Sequence, residues 1–295
     1  MTGLVLLDKP KGITSFGAVA YVRRLFGEKR AGHTGTLDPM ATGVLPILLG
    51  RSTRLCGVLL ESDKRYTAQI LLGTRTDTYD VTGNVLKICD NIPRDSDIIS
   101  AANSFRGEIM QVPPIFSALK SDGKRLYDIA RNGGEVDIEP RRVEIKQLNI
   151  ISLDGNLLTV DVLCSKGTYI RSLAHDIGEA LGCGATLKEL RRTFTGGFGI
   201  EQCVTPENLS ANPNAYLRQA DECVLHLPAV TVTDNQRARY LHGGELFKSR
   251  VTPSDALSDG MLCRVYDRNG IFLGISEAQS EFIKVKCLIF EGDQP

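Results

Sequence analysis

The sequence predicts an α+β protein in two parts, and three observations carry that prediction. Two strand-like runs, 143–153 and 157–164, flank Asp154-Gly155-Asn156, a turn sequence that folds such runs into a hairpin. Elsewhere apolar residues recur at helical spacing: Ile170, Leu173, Ala174, Ile177 and Leu181 form one face, and Gly182 supplies the stop. Beyond Pro228 the pattern changes to short strands, 262–266, 271–275 and 283–290, with Asp267-Arg268-Asn269-Gly270 as a hairpin turn. At 295 residues the chain exceeds one small domain. The expected division is 1–228 and 229–295.

Taken in order, residues 4–7 read as a short buried strand and Asp8-Lys9-Pro10-Lys11-Gly12 as a turn. Thr14 or Ser15 caps a helix with Phe16, Val19, Ala20 and Leu25 or Phe26 on its inner face and Gly27 past its end. Arg23, Arg24, Lys29 and Arg30 follow, as a solvated helix face or a phosphate contact. Residues 52–60 are helix-like, and Lys64-Arg65-Tyr66 opens a strand closing at Gly73. The polar loop 75–80 precedes a strand near Val85, and Ser96 caps a helix carrying Ile98, Ala101, Ala102 and Phe105 on one face. Pro113-Pro114 introduces an excursion over about 112–142, with a basic turn at 117–125, a short helix at 126–131 and a stop at Asn132-Gly133-Gly134. Arg171 falls in the first turn of the 170–181 helix, where the helix dipole disfavours a cation. That misfit asks for a specific anionic partner. Residues 187–192 read as a further short helix, and 205–227 as a connector.

The composition excludes several classes. Hydrophobic residues make up 42%, charged residues 24%, and the net charge is zero. That is an ordinary globular chain; a nucleic-acid role must rest on local basic patches rather than on overall charge. The eight cysteines contain no C-x-x-C and the four histidines no H-x-x-x-H, so neither a metal site nor a redox pair is expected. The thiols are expected to be reduced and mostly buried, as in a cytoplasmic protein. No basic leader precedes the first apolar run, and the longest apolar stretch, 44–49, contains Pro46 and is far too short for a bilayer. Neither a G-x-G-x-x-G strand–helix unit nor a Walker sequence is present, and no cofactor is expected.

The stretch Gly32-His33-Thr34-Gly35-Thr36-Leu37-Asp38-Pro39-Met40-Ala41-Thr42-Gly43 is too rich in glycine for a helix and too polar for a core strand. Its glycines permit tight turns and close backbone approach. It holds one carboxylate, Asp38, which Pro39 biases toward an extended backbone. A structural turn and a ligand-handling loop both fit this composition.

Six segments decide between them: Leu7-Asp8-Lys9-Pro10-Lys11-Gly12-Ile13-Thr14-Ser15, the loop Gly32 through Pro39, Lys64-Arg65-Tyr66, Arg75-Thr76-Asp77-Thr78, Ser117-Ala118-Leu119-Lys120, and Lys166-Gly167-Thr168-Tyr169-Ile170-Arg171. In this order and spacing the chain resembles the TruB family of RNA pseudouridine synthases over roughly residues 4–200. The resemblance implies a mixed, largely antiparallel central sheet flanked by helices, followed by a small β-barrel related to the PUA domain. It also implies a redox-neutral isomerisation, in which a uridine in the T-loop of tRNA (position 55) leaves its sugar at N1, turns, and rejoins through C5.

Carried over by position, the resemblance makes Asp38 the catalytic aspartate and Arg171 the cation that pairs with it and keeps it ionised. Tyr66 would stack on the target base. His33 would sit near the flipped nucleotide, Tyr169 and Leu190 would line the base pocket, and Asp80 would help order the site. Lys64, beside Tyr66, joins the substrate-binding set. The 112–142 excursion resembles a mobile thumb that clamps the RNA, with Lys120, Lys124, Arg125, Arg141 and Arg142 supplying positive charge. The implied partner is the T-arm of tRNA, met by a monomer with no obligatory protein partner. A guide-RNA-dependent relative of the dyskerin type and a purely RNA-binding protein are the competing readings.

Overall fold

The computed structural model describes residues 1–59, 62–117, 120–121, 124–125, 138–253 and 257–290. The chain forms two compact units, one of Met1–Asp38, Val44–Glu61 and Glu201–Pro295, the other of Pro39–Gly43 and Ser62–Ile200.

In the first unit the strand Gly3–Lys9 is buried along almost its whole length. A strand covered on both faces has no polar side, which is why it reads as a continuous apolar run. The strand Thr42–Leu49 lies beside it and pairs antiparallel with Ala31–His33. The helix Ser15–Leu25 starts at Thr14, whose Oγ1 accepts from Gly17 N at 2.9 Å. Its buried face is Ser15, Ala18, Val19 and Val22, packed with Val5, Leu7, Leu45, Ile47, Val204 and Leu209. Phe16, expected on that face, is 77% exposed. One residue of offset turns a helix by about 100°, and the small side chains of Ser15 and Ala18 take the inward positions.

The C-terminal part of this unit is a five-stranded sheet in the order Ala229–Thr231, Leu262–Tyr266, Phe272–Gln279, Phe282–Leu288, Leu246–Phe247. It encloses a core of its own, including Val230, Tyr240, Val265, Leu273 and Ile283. The predicted turn is built by Asp267, whose Oδ1 accepts from Asn269 N and Ile271 N at 2.9 Å each. The 205–227 connector contains the short helix Pro206–Ala211, capped by Thr205.

The second unit is organised on an antiparallel sheet in the order Ala185–Thr195, Lys64–Leu72, Leu157–Cys164, Arg141–Asp154, Gly107–Gln111. The predicted hairpin is present: Asp154 pairs with Leu157 across Gly155-Asn156, and Gly155 has φ +57°. The helix Ile170–Ala180 buries Ile170, Leu173, Ala174 and Ile177, as its spacing predicts. The helix expected near Ser96 spans Asp95–Ser104 and buries Ile98 and Ala102, but its N-cap is Arg94, and Ser96 lies within its first turn.

Residues 187–192 are not helical. They lie in the strand Ala185–Thr195, which pairs with Lys64–Leu72 on one edge and with Thr42 and Gly43 on the other. Two breaks in register, at Leu187/Glu189 and Arg192/Phe194, interrupt the two-residue alternation that would have marked a strand. Pairing on both edges overrides the helix preference of Leu, Lys, Glu and Arg.

Gly43 is where that pairing is tightest. Its φ is +105°, and a Cβ there would lie 2.1 Å from the carbonyl oxygen of Arg192. A Gly43→Ala variant is therefore expected to lose about 2 kcal/mol or more, from strain plus the clash. A thermal melt matching the wild type would show that the two strands part without cost.

None of the eight cysteines forms a disulfide. Burial pushes the Cys164 thiol up to about 11 and the Cys223 thiol to about 12. Among the described residues no helix is long and apolar enough to cross a membrane. Within the excursion the structure describes 112–117, the paired strands Lys120–Ser121 and Lys124–Arg125, and 138–142; the helix expected at 126–131 lies outside the described residues.

Candidate active site

The glycine-rich loop begins in the first unit. His33, half-buried, ends the strand Ala31–His33 opposite Ile47. Thr34 N donates to Pro46 O at 3.2 Å, and Gly35 has φ +91°, a turn that favours glycine. The chain then runs inward through Leu37, which is 3% exposed, to Asp38, which is half-buried. Both backbone groups of Leu37 are taken by one side chain: Ser15 Oγ donates to Leu37 O at 2.9 Å and accepts from Leu37 N at 2.8 Å. At the far end of the loop Gly43 serves the close approach to Arg192, so its missing side chain is explained by strand packing rather than by room for a ligand.

The second unit carries the other principal residues. Tyr66 is the first core-facing position of its strand, followed by Ala68, Ile70 and Leu72, and is 6% exposed. It pairs with Val162 on one side and Arg192 on the other, while Ala68 pairs with Leu190. Paired residues share a face of a sheet, so Leu190 is a diagonal neighbour of Tyr66. Arg192, on that same face, is fully buried. Sequence reasoning passed over it, because a misread helix gave the Arg191-Arg192 pair no direction. Lys64 is half-buried, and its ammonium donates to Ser62 O at 3.0 Å.

Arg171 is the second residue of the helix Ile170–Ala180 and is 5% exposed. The anionic partner that its position requires is supplied by Asp80: Nη1 lies 3.7 Å from Oδ2, with both side chains about 6% exposed. Nη1 also donates to Thr78 O at 3.2 Å and Nη2 to Phe116 O at 3.0 Å. A guanidinium buried this deeply needs both a counter-charge and acceptors for its fork of N–H groups. Asp80 is held in turn. Its Oδ1 accepts from Thr78 Oγ1 at 3.0 Å, Thr82 N at 2.9 Å and Thr82 Oγ1 at 2.5 Å. The preceding residue, Tyr79, adopts φ +64°, and its ring stacks on His175 with centroids 4.0 Å apart. Leu187 N donates to Tyr79 O at 2.9 Å. The strained turn thus delivers the Asp80 carboxylate beside the helix that carries Arg171.

Tyr169 is the N-cap of that helix. Its backbone is gripped by the buried amide of Gln111: Tyr169 N donates to Gln111 Oε1 at 2.8 Å, and Gln111 Nε2 donates to Tyr169 O at 3.1 Å. Ser172 Oγ adds a bond to Val112 O at 2.7 Å. Gln111 is absent from the predicted set; a lone glutamine at the end of a strand carries no sequence signal. Replacing it with alanine removes the acceptor of the Tyr169 N–H, while the Tyr169 carbonyl keeps its bond from Leu173 N at 3.0 Å; the expected loss is roughly 1–3 kcal/mol. Chemical denaturation of Gln111→Ala measures it, and an unchanged midpoint would show that water takes over the bond to the Tyr169 N–H.

Arg141 and Arg142 are exposed at the start of the strand Arg141–Asp154, and Arg142 forms an ion pair with Glu108. The backbones of Lys120, Lys124 and Arg125 belong to the small two-stranded turn described above.

Comparison with known proteins places the whole chain. Residues 23–170 match the model of the TruB family pseudouridylate synthase N-terminal domain. Residues 171–229 match the tRNA pseudouridylate synthase B C-terminal domain, and 228–289 the pseudouridine synthase II TruB C-terminal domain. The tRNA pseudouridine synthase B of Azoarcus sp. (strain BH72) is 46% identical over 97% of this chain and 94% of its own length. That of Hydrogenovibrio crunogenus is 42% identical over 95% and 90%. Among solved structures, a chain of an archaeal box H/ACA sRNP Nop10-Cbf5 complex superposes with a TM-score of 0.75 at 27% identity, over 99% of this chain and 87% of that one. A chain of an H/ACA RNP bound to a substrate RNA containing 2'-deoxyuridine also gives 0.75, at 25% identity, over 99% and 86%. With 42–46% identity to tRNA pseudouridine synthase B proteins along nearly its full length, and family models matched over residues 23–289, the chain belongs to the TruB family of pseudouridine synthases.

Proposed function

We propose that this enzyme converts the uridine at position 55 in the T-loop of tRNA to pseudouridine, using Asp38 as its catalytic carboxylate. Uridine-to-pseudouridine isomerisation in tRNA is the activity that family membership brings; the position and the residue roles are this reading's own. The observation that carries it is identity of 46% to a tRNA pseudouridine synthase B across 97% of the chain.

The chemistry sets the requirements. The N1–C1′ bond breaks, the base turns, a C5–C1′ bond forms, the C5 proton leaves and N1 gains one. Nothing is oxidised or reduced. The step needs an ionised carboxylate near the sugar and base, and a surface that holds a detached ring while it turns. Asp38 fits the first need; the resemblance assigns it Arg171 as its charge partner. Tyr66 fits the second: a flat ring on a rigid strand, with Leu190 diagonal to it on the same face. In this reading Tyr169 lines the base pocket with Leu190, His33 sits near the flipped nucleotide, and Asp80 holds Arg171.

A uridine within a folded T-loop must be extruded first, which costs a few kcal/mol that stacking and phosphate contacts offset. Lys64, Lys120, Lys124, Arg125, Arg141 and Arg142 are proposed as the cations that meet the RNA, those of the 112–142 thumb closing on it. In this reading 1–228 is the catalytic domain, 229–295 a PUA-like domain, and the enzyme works as a cytoplasmic monomer.

The likeness to chains of H/ACA particles raises a second reading, in which guide RNA and protein partners are required. One experiment separates them. The purified enzyme is incubated with an unmodified tRNA transcript and pseudouridine is mapped by carbodiimide treatment and primer extension. A stop at the T-loop uridine without added components is the expected result. Modification only after guide RNA and partner proteins are added would establish the second reading. Tight tRNA binding with no modification under either condition would leave a binding role alone.

A further inference from the structure

We infer that Ser15 is a positioning residue for Asp38. The inference rests on the reading of Asp38 as the catalytic carboxylate. Ser15 is the first residue of its helix and is 2% exposed. Its single hydroxyl donates to Leu37 O at 2.9 Å and accepts from Leu37 N at 2.8 Å. These are the two backbone bonds that a neighbouring strand would make. No strand makes them, because Ala31–His33 ends before Leu37 and the next strand, Thr42–Leu49, begins after Asp38. A side chain on a helix does so instead.

The position of the clamp gives it a consequence. Leu37 O belongs to the peptide plane that joins Leu37 to Asp38, so fixing that oxygen fixes the plane from which Asp38 departs. On the other side, Pro39 restricts the backbone of Asp38. The Leu37 side chain is itself buried at 3% exposure. The backbone carrying the carboxylate is thus held before and after it.

Ser15 is also held in place. Thr14 Oγ1 caps the helix start through Gly17 N at 2.9 Å. The Lys9 ammonium, fully buried, donates to Pro10 O at 2.9 Å and to Ile13 O at 2.8 Å, folding the turn that leads to Thr14. The segment from Lys9 to Ser15 has no chemical task in the proposed reaction. Its last residue, Ser15, bonds to Leu37, the residue next to Asp38, and holding that residue is the task we assign to it. An isomerisation that breaks one bond to C1′ and makes another there punishes a carboxylate displaced by about 1 Å with roughly 100-fold in rate.

The test is a single-turnover reaction with enzyme in excess over a T-arm RNA tritiated at uridine C5, since bond formation at C5 releases the label. Under these conditions the rate constant does not depend on the fraction of inactive protein. Ser15→Ala is expected to slow this step about 10- to 100-fold while RNA affinity stays within about twofold. Ser15→Cys keeps a weak donor and acceptor of similar size and is expected to fall between alanine and wild type. A wild-type rate for Ser15→Ala, or a loss lying wholly in RNA affinity, would overturn the proposal. Should Ser15→Ala fail to fold, Ser15→Cys decides, and a wild-type rate there overturns it. Asp38→Asn is measured in parallel. An active Asp38→Asn enzyme would remove the catalytic reading itself, whereas an inactive one beside a wild-type Ser15→Ala removes the positioning role alone.

Discussion

Asp38→Asn is expected to abolish turnover, by at least about 10³-fold, while tRNA affinity changes by no more than about threefold. The substitution nearly preserves volume and removes only the negative charge and the basic, nucleophilic oxygen. The loop should survive it, because it is also anchored at other positions. Leu37 is fixed by Ser15, Thr34 is bonded to Pro46, and Gly43 is lodged against Arg192. Stability, read from a thermal melt, should therefore match the wild type. Loss of activity with intact binding would place the defect in chemistry. Full activity in Asp38→Asn would sink the assignment, since the reaction would then run without the carboxylate.

Arg171→Ala has the second largest expected effect, a fall of roughly 10²- to 10³-fold in the chemical step. Its structural context demands a control. Arg171 and Asp80 are both buried, and Arg171 also serves the carbonyls of Thr78 and Phe116. Removing one partner of a buried pair leaves the other uncompensated, commonly at about 3–5 kcal/mol. Asp80 keeps three hydrogen bonds from Thr78 and Thr82, which softens that loss. Arg171→Lys therefore accompanies it: it restores the charge but not the planar fork that reaches two carbonyls and a carboxylate together. The expected pattern is a folded Arg171→Lys enzyme with near-normal tRNA affinity and a rate well below wild type. If Arg171→Lys is fully active and Arg171→Ala simply unfolds, Arg171 is structural and its pairing role in catalysis fails.

The two central residues are presented by different devices. Arg171 sits in the first turn of a helix, against the dipole, and is tolerated because Asp80 arrives on a strained turn at Tyr79. Gln111 then fixes the helix start through both backbone groups of Tyr169. Asp38 sits outside regular structure, and Ser15 supplies the bonds a strand would have given. In both cases a buried polar side chain, distant in sequence, holds the backbone next to the charged residue.

Several features were legible in the chain alone because their causes are local. The hairpin at Gly155-Asn156 follows from turn chemistry, and the 170–180 helix from the spacing of Ile170, Leu173, Ala174 and Ile177. The Thr14 cap follows from a hydroxyl placed three residues before an N–H it can reach. The misfit of Arg171 was also readable, since helix polarity depends only on direction along the chain. Asp38, between glycines and a proline, stood out for the same reason, and six ordered motifs named the family.

Other features depend on residues far apart. The segment 187–192 has helix-forming side chains, yet it is a strand because Lys64–Leu72 pairs along one edge and Thr42 and Gly43 take the other. Phe16 faces solvent because the residues that meet the strands are Ser15 and Ala18. The partners Ser15–Leu37, Gln111–Tyr169 and Arg171–Asp80 are 22, 58 and 91 residues apart, so no window on the sequence contains them and their clamps. The sequence by itself determined which residues carry charge, which spans can turn or coil, and to which family their order belongs. Only the tertiary structure decided which buried hydroxyl, amide and carboxylate hold those residues in place. A hydrogen bond is a condition on distance and angle between atoms, and such conditions exist only once the chain has closed on itself.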